Sequence, residues 1–213
     1  MKPIHNVSFK GHEFRIQEGS VHPAYSVECF TKDESEFRDK YWDIKPGEVV
    51  VDVGASYGAY ALTAAACGAQ VLAFEPEPTV FVDLLENVKL NPGMKVKAAC
   101  AALADKPGLI EMARYAPHWP QQTISSPYPA LPLDALWINR CNWMKVDVEG
   151  AEYQVLNGAE QTLRRFRPRL IIESHIFLEP DLTRKLKSYL GHFGYDFEVI
   201  PREPCEMLIA RPK

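Results

Sequence analysis

Hydrophobic and polar positions follow two alternating patterns along most of the chain. Short apolar runs, typical of buried strands, are separated by segments with apolar residues at helical spacing. The predicted strands lie near 48–53, 70–75, 95–102, 143–148, 169–174, 195–200 and 205–211, and the predicted helices near 58–67, 78–91, 151–166 and 180–193. Strands that alternate with amphipathic helices predict an α/β fold with a doubly wound, mostly parallel sheet.

The two ends of the chain depart from this rhythm. The last two predicted strands are joined only by ProArgGluPro, which is too short for a helical crossover, so the last strand should pair antiparallel. Near the start, residues 4–17 alternate around a KGHE turn and predict a hairpin, and residues 25–43 have roughly helical spacing. We therefore expect a small N-terminal extension over 1–45 and a single domain over 46–213.

Composition and charge narrow the classes of partner. The chain has 213 residues, 46% of them hydrophobic, which suits one domain with an ordinary core. A net charge of -4 argues against binding to nucleic acid or to an anionic membrane by bulk electrostatics. The sequence has no apolar run of signal-peptide or membrane-span length, so we expect a cytoplasmic protein. Its five cysteines form no CxxC pair and predict neither a disulfide framework nor a zinc site.

A glycine-rich turn follows the first strand of the predicted sheet. The segment AspValGlyAlaSerTyrGly (52–58) ends a strand and opens a helix, so its backbone N–H groups can face a ligand. Gly54 and Gly58 permit a sharp turn and close backbone approach. Asp52, at the strand end, can accept a hydrogen bond from a cationic ligand group. A tight strand-to-helix turn without a ligand is the alternative.

Glu75 supplies a second sign of a nucleoside cofactor. It ends the next strand in LeuAlaPheGluPro, at the distance along the chain where an acidic side chain binds a ribose diol in dinucleotide-type folds. The glycines form GxxxG, whereas a dinucleotide fingerprint needs GxGxxG for the pyrophosphate. This favours S-adenosylmethionine, which has no phosphate, over a nicotinamide cofactor. The predicted cofactor-binding residues are Asp52, Gly54, Ala55, Ser56, Tyr57, Gly58, Glu75, Pro76 and Asp147.

Charged residues occupy the ends of two later strands, where a buried parallel sheet should be apolar. Alternation places Lys145, Asp147 and Glu149 on one face of the strand near 143–148. The strand near 169–174 is followed closely by His175, which shares a face with Glu173. If the strands are neighbours, these five side chains converge near the turn at 54–58, as ionisable groups do in catalytic sites.

This cluster predicts a site for methyl transfer to a hydroxyl group, with Asp147, His175, Lys145 and Glu149 as catalytic residues. Transfer needs an aligned nucleophile and a group that takes its proton. His175, with an ordinary pKa of about 6.5, can act as that base, and Asp147 can orient it or serve as the base itself.

Structural roles remain open for the same residues. Glu149 and Glu152 have the spacing of a capping box for the helix at 151–166. Lys145 and Asp147 can form a structural ion pair. Asp147, Glu149, Glu173 and His175 can instead bind magnesium or calcium in a metal-assisted methyltransferase.

A proline-rich segment at 116–132 interrupts the alternation of strands and helices. It contains five prolines with His118, Trp119 and Tyr128 among them. A loop this long within a compact domain is often functional, which suggests a lid over the acceptor. A variable surface loop with its aromatic side chains packed inward is the alternative.

These motifs together resemble the FkbM family of methyltransferases. The resemblance covers most of 48–175 and rests on ValValAspValGlyAlaSerTyrGly (50–58), AlaPheGluPro (73–76), GluAsnValLysLeuAsn (86–91), LeuAspAlaLeu (133–136), LysValAspValGluGlyAlaGlu (145–152), GlyAlaGlu (158–160) and IleIleGluSerHis (171–175). The KxDxEGxE element is its most specific part. Ser56 departs from the Asn often found at that position.

The resemblance implies a Rossmann-like class I methyltransferase fold with a seven-stranded sheet and S-adenosylmethionine as cofactor. It also implies O-methylation of sugars, polyketides or other natural products, so the expected partner is a small-molecule hydroxyl acceptor and neither nucleic acid nor a membrane. By position, Asp52, Gly54 and Gly58 match the cofactor turn, Glu75 the ribose-binding acid, and Asp147 the residue near the methyl group. A nicotinamide-dependent oxidoreductase and a binding module without turnover are the rival functions.

Overall fold

The computed structural model of the chain describes residues 2–32, 34–111 and 127–213. The strands are β1 (Ile4–Phe9), β2 (His12–Gln17), β3 (Val49–Val53), β4 (Gln70–Phe74), β5 (Lys95–Ala99), β6 (Ala102–Leu103), β7 (Gly108–Glu111), β8 (Pro127–Leu131), β9 (Trp143–Val146), β10 (Arg169–Ser174), β11 (Tyr195–Arg202) and β12 (Cys205–Pro212). The helices are α1 (Pro23–Thr31), α2 (Glu34–Tyr41), α3 (Ala59–Ala66), α4 (Pro78–Lys89), α5 (Glu152–Asn157), α6 (Glu160–Phe166) and α7 (Leu182–Gly191), with a 3-10 helix at Leu133–Leu136.

Seven of the described strands form one sheet, in the order β11-β12-β10-β9-β3-β4-β5. β3 pairs with β4, and β4 with β5, in parallel. β12 is antiparallel to both of its neighbours, β10 and β11. The predicted class I architecture, with a seven-stranded mostly parallel sheet and an antiparallel last strand, is therefore confirmed. The order reverses at β3, because β4 and β5 lie to one side and β9 to the other, and ligands bind at such reversals in α/β sheets.

The chain divides into two compact units. The first contains residues up to Cys100 together with Cys141–Lys145, and the second contains Ala101–Arg140 and Val146–Lys213. The first unit therefore holds the N-terminal hairpin, β3, β4, β5 and most of β9. The division into an extension over 1–45 and a domain over 46–213 stays a prediction.

The N-terminal hairpin forms as its alternation predicts. β1 and β2 pair antiparallel with Val7 opposite Phe14, and these two side chains are buried. α4 and the residues that follow it fix the hairpin within the first unit. In α4, Asn87 Oδ1 accepts a hydrogen bond from the Gln17 backbone N–H at 2.8 Å, and beyond its end Asn91 Oδ1 accepts one from the Arg15 N–H at 2.9 Å. Part of the GluAsnValLysLeuAsn motif thus has a structural role.

The predicted helix at 151–166 is two helices, because Asp134 caps the second one. The N–H groups of Gln161 and Thr162 donate to the Asp134 carboxylate at 2.7 and 2.9 Å. The Gly158 carbonyl accepts from the Asp134 N–H, and a Cβ on Gly158 would lie 2.0 Å from the Ala104 carbonyl oxygen. The helix therefore breaks between α5 and α6, where a side chain would collide with backbone.

The structure also differs from the sequence prediction at residues 95–102 and in the proline-rich segment. The strand predicted at 95–102 ends at Ala99, and β6 joins β7 and β8 in a separate three-stranded sheet. Pro127 and Pro129 lie in β8 opposite β7, whereas β6 pairs only with Ala130 and Leu131. The prolines thus occupy a part of β8 with a neighbour on one side, where a missing N–H is tolerated. The rest of the expected lid, up to residue 126, lies outside the described residues.

Among the described residues, no helix has the length and apolar character needed to cross a bilayer.

Candidate active site

The turn after β3 is built from residues in left-handed backbone conformations. Gly54, Ser56 and Gly58 have φ angles of 75°, 50° and 97°. Asparagine enters this region more readily than serine, which explains why Asn suits the position that Ser56 fills. A Cβ on Gly58 would lie 2.7 Å from Leu84 Cδ1, so packing as well as φ requires glycine there. Gly54 and Ser56 are half-buried, whereas Ala55 is buried. The N–H groups of Gly54, Ala55 and Ser56 do not face a ligand as expected, because they donate to the Phe74 carbonyl and the Glu75 carboxylate.

Lys145 anchors this turn from the neighbouring strand. Its ammonium group donates to the Gly54 carbonyl at 2.9 Å and lies 3.8 Å from Asp52 Oδ1 and 5.1 Å from the centre of the Tyr60 ring. Both Lys145 and Asp52 are buried. Lys145 thus forms an ion pair with Asp52. This ion pair and the hydrogen bond to the Gly54 carbonyl fix the bend of the chain at Gly54.

Glu75 lies against the same turn, as its spacing predicts. Its carboxylate accepts hydrogen bonds from the Ser56 N–H at 2.8 Å and the Glu77 N–H at 2.9 Å. Burial raises the pKa of Glu75 to about 7, although these two backbone hydrogen bonds and Lys145 act to lower it. Pro76, next along the chain, is buried.

Tyr57 supports the turn from behind. Its carbonyl accepts a hydrogen bond from Asn87 Nδ2 at 3.0 Å, and its ring packs edge-on against Tyr25. A Cβ on Gly19 would lie 2.4 Å from the Tyr57 ring, so the N-terminal segment closes over this side chain. The tyrosine ring, with 2% of its surface exposed, is thus part of the core of the first unit.

The second unit gathers the charged residues that follow β9. β9 ends at Val146, two residues before the predicted end, because Glu149 and Gly150 take left-handed φ angles of 54° and 101° and turn the chain. His175 Nε2 lies 3.6 Å from Asp147 Oδ1 and 3.3 Å from Glu149 Oε2. His175 is buried, whereas 27% of the Asp147 side chain and 43% of the Glu149 side chain are exposed.

Glu152 fixes the other nitrogen of this imidazole. Its Oε1 atom lies 2.6 Å from His175 Nδ1 and accepts the Gly150 N–H at 3.0 Å, and the side chain is fully buried. α5 has Ala151 as its N-cap without a side-chain hydrogen bond. The capping-box interpretation of Glu149 and Glu152 is therefore wrong, because the Glu152 carboxylate faces the histidine.

These contacts set the charge of His175. Burial alone would lower the pKa of His175, but the hydrogen bond to Glu152 and the charges of Asp147, Glu152 and Glu149 raise it to about 9. The expectation of a histidine base with an ordinary pKa is thus not met, since the imidazole is protonated near neutral pH. The carboxylates of Asp147 and Glu149 are more exposed than the imidazole.

An apolar wall flanks the carboxylates. The Phe177 ring lies edge-on to His175, with centroids 5.7 Å apart, and 45% of Phe177 is exposed. Leu178 packs against Gly150, where a Cβ would lie 3.0 Å from its Cδ1 atom. The second unit therefore presents hydrogen-bond acceptors beside an exposed aromatic face.

The structure gathers the predicted residues in two groups. The turn residues, Glu75 and Lys145 lie together in the first unit, and Asp147, Glu149, Glu173 and His175 lie together in the second. Their convergence into one site stays a prediction, as do their roles. The sequence interpretation missed the contact between Glu152 and His175, although the KxDxEGxE motif contains Glu152, and it did not single out Phe177 or Leu178.

Comparison with known proteins decides the family. The profile of the Methyltransferase FkbM domain matches residues 52–197, more than half of the chain. The chain belongs to the FkbM methyltransferase family. The family predicted from the motifs is therefore confirmed, and with it the class of S-adenosylmethionine-dependent methyltransferases.

One curated relative of this FkbM methyltransferase is the hexuronic acid methyltransferase AglP of Haloferax volcanii. The two are 27% identical over 188 residues, which cover 84% of this chain and 77% of the relative. Among solved structures, the methyltransferase FkbM from Methylobacillus flagellatus KT aligns with a TM-score of 0.60 at 18% identity, over 76% of this chain and 43% of that one. This chain therefore spans less than half of that protein.

The rRNA methyltransferase RsmC of T. thermophilus, solved with AdoMet and guanosine, aligns with a TM-score of 0.55 at 17% identity, over 99% of this chain and 50% of that one. At such low identities these two structures support the fold alone.

Proposed function

We propose that this FkbM methyltransferase transfers the methyl group of S-adenosylmethionine to a hydroxyl oxygen of a sugar. The observation that carries the proposal is the pair of accessible carboxylates, Asp147 and Glu149, beside the exposed face of Phe177. Carboxylates accept hydrogen bonds from hydroxyl groups, and an aromatic face suits the apolar face of a sugar ring. The resemblance to a hexuronic acid methyltransferase favours the same acceptor class.

The turn residues fit the cofactor chemically. Gly54 and Ser56 are half-buried, and their N–H groups donate to the Phe74 carbonyl and the Glu75 carboxylate. The Glu75 carboxylate can accept the hydroxyl groups of a ribose in addition to its two backbone donors. The turn from 52 to 58 has the spacing GxxxG and lacks the GxGxxG that binds a pyrophosphate, which fits a sulfonium nucleoside better than a dinucleotide. When bound, S-adenosylmethionine supplies the electrophilic methyl group.

We assign the proton-accepting role to Asp147. S-adenosylmethionine held at the turn would give its methyl carbon to the acceptor oxygen and leave as S-adenosylhomocysteine, with the electron pair of the broken carbon–sulfur bond on sulfur. The hydroxyl proton passes to the Asp147 carboxylate, which follows Lys145, the anchor of the cofactor turn, by two residues. Lys145 and Asp52 hold the turn, and His175 holds the carboxylates in place.

The test is methyl transfer from methyl-labelled S-adenosylmethionine to a panel of hexoses and hexuronic acids, with the product bond identified by NMR. We expect an O-methyl ether, and we expect Asp147→Asn to lose at least 100-fold in kcat, as removal of a general base commonly does. The matched control is Asp196→Asn, because Asp196 is an exposed residue of β11 that pairs with Lys213. Methylation of nitrogen or carbon, or an Asp147→Asn variant as active as the control, would contradict the proposal.

A further inference from the structure

We propose that Asp147, Glu149 and His175 form a binding site for one divalent metal ion of the first transition row. One ligand atom of each residue, two carboxylate oxygens and an imidazole nitrogen, lies within 4.8 Å of the others. Metals bind such atoms at about 2.0–2.2 Å, so neighbouring ligands lie roughly 3 to 3.5 Å apart. The distances from His175 Nε2 to Glu149 and Asp147, 3.3 and 3.6 Å, are close to that range.

The Nε2 atom of His175 distinguishes this site from a group of acidic residues alone. His175 has 3% of its surface exposed, and its Nδ1 atom is the ring nitrogen that is hydrogen-bonded to Glu152. Nε2 lies 3.3 Å from Glu149 Oε2 and 3.6 Å from Asp147 Oδ1. Because the imidazole is protonated near neutral pH, binding of a metal ion at Nε2 releases that proton. A buried imidazole nitrogen in this position is directed at the space between two oxygen ligands.

Glu152 supplies the partner that a metal-binding histidine usually has. Histidine ligands almost always give their second N–H to a carboxylate or carbonyl, which fixes the ring and increases its basicity as a ligand. The contact between His175 Nδ1 and Glu152, at 2.6 Å, has this form. Glu152 is itself fully buried and bound to the Gly150 N–H, so the ring orientation is fixed before any ion arrives.

A second set of three possible ligands, Glu173, His175 and Cys205, shares the histidine. We favour the first set because Asp147 and Glu149 are partly exposed, whereas Cys205 is buried. The exposed side gives an ion a path of entry and leaves positions for acceptor oxygens.

The donor set also suggests which ion binds. Two carboxylates with one imidazole suit manganese, iron or zinc better than magnesium or calcium, which prefer oxygen ligands alone.

The effect of a bound ion on the choice of acceptor rests on the proposed function. Asp147, Glu149 and His175 would hold the ion, with one ligand atom from each residue. Its positive charge permits an anionic sugar, such as a uronic acid, to approach residues that would otherwise repel it.

The test uses the full chain, freed of metal by EDTA, and Mn²⁺ as the probe, with unbound Mn²⁺ measured by electron paramagnetic resonance. We expect one saturable site per chain, at least tenfold weaker binding in Glu149→Gln and in His175→Ala, and weaker binding in Glu152→Gln. The matched control is Glu160→Gln on α6, because 44% of the Glu160 side chain is exposed, close to the value for Glu149. That control should bind Mn²⁺ like the wild type.

Absence of saturable binding to the wild type, or equal affinity in Glu149→Gln and Glu160→Gln, would overturn the metal site. If His175→Ala fails to fold, Glu149→Gln decides the result, since its side chain is partly exposed. Mn²⁺ binding is measured without cofactor or acceptor, which separates the two proposals. A chain that binds Mn²⁺ but forms no methyl ether contradicts only the proposed function, and a chain that forms the ether without binding metal contradicts only this inference.

Discussion

We propose that individual residues at the ends of β3, β4 and β9 carry most of the chemistry, and burial distinguishes their surroundings. Lys145 and Asp52 face each other in the interior and hold the turn. Asp147 and Glu149 keep contact with solvent. Ionisable residues that are close together in sequence, such as Lys145 and Asp147, thus lie in different surroundings.

Sequence patterns could locate these residues but could not predict those surroundings. Glu75 was found because its distance from the glycine turn along the chain is characteristic. Glu152 was assigned to a capping box because the local spacing allows one, whereas its partner, His175, is distant in sequence and is brought near only by folding. Phe177 and Leu178 belong to no motif, so only their exposure in the folded chain draws attention to them.

The ionisation of Glu75 predicts a pH dependence of cofactor affinity. Burial raises the pKa of Glu75 to about 7, against an ordinary value of 4.5. The pKa of Glu75 is higher in the folded protein than in the unfolded chain. Protonated Glu75 therefore contributes to the stability of the fold below about pH 4.5, and this contribution is lost as the pH rises through 7. Ribose hydroxyl groups donate to the ionised carboxylate, so S-adenosylhomocysteine should bind roughly tenfold more tightly at pH 8 than at pH 6.

Calorimetric titration of wild type and Glu75→Gln at both pH values measures this effect. The variant should bind weakly at pH 8 and lose the component of the pH dependence that belongs to Glu75. Titration of the ligand itself is common to both proteins and cancels in the comparison. Equal pH dependence in wild type and variant would rule out Glu75 as the responsible group.

At the scale of elements, the α/β alternation was predictable because buried strands and amphipathic helices have distinct hydrophobic periods. Val155, Leu156, Ala159 and Leu163 are fully buried, as the helical spacing over 151–166 predicts. The break between α5 and α6 was not predictable, because it depends on Asp134 and on the close approach of Ala104. The three-stranded sheet of β6, β7 and β8 was missed because prolines disfavour the strand assignment.

The cap on α6 gives a prediction about stability. Asp134 accepts three hydrogen bonds, from the N–H groups of Gln161 and Thr162 and from the Thr162 hydroxyl. Asp134→Ala should lower the free energy of unfolding by about 1 kcal/mol, the typical cost of a lost cap. In a chain of this size that corresponds to a fall in Tm of about 2–4 °C.

Asp181→Ala is the matched control for this change. Asp181 is the N-cap residue of α7 but makes no side-chain cap hydrogen bond, and its ion pair with Arg184 is on the surface. Its replacement should change the free energy of unfolding by less than about 0.5 kcal/mol. Urea unfolding of both variants measures the difference, and equal losses would show that the Asp134 contacts do not stabilise α6.

For the whole molecule, the fold and the family agree with the chemistry of the residues. The sheet places the glycine turn after β3, where the strand order reverses, and the FkbM family match begins at Asp52, the first residue of the turn segment. The acceptor and the use of metal depend on details of the second unit that no motif specifies. The proposed function requires that a nucleoside without a pyrophosphate binds at this turn.

Calorimetric titration of the wild-type chain with S-adenosylhomocysteine and, separately, with NAD⁺ tests that premise most directly. We predict one binding site for S-adenosylhomocysteine, a large loss of affinity in Glu75→Ala, and no measurable binding of NAD⁺. Binding of NAD⁺ without binding of S-adenosylhomocysteine would contradict the account.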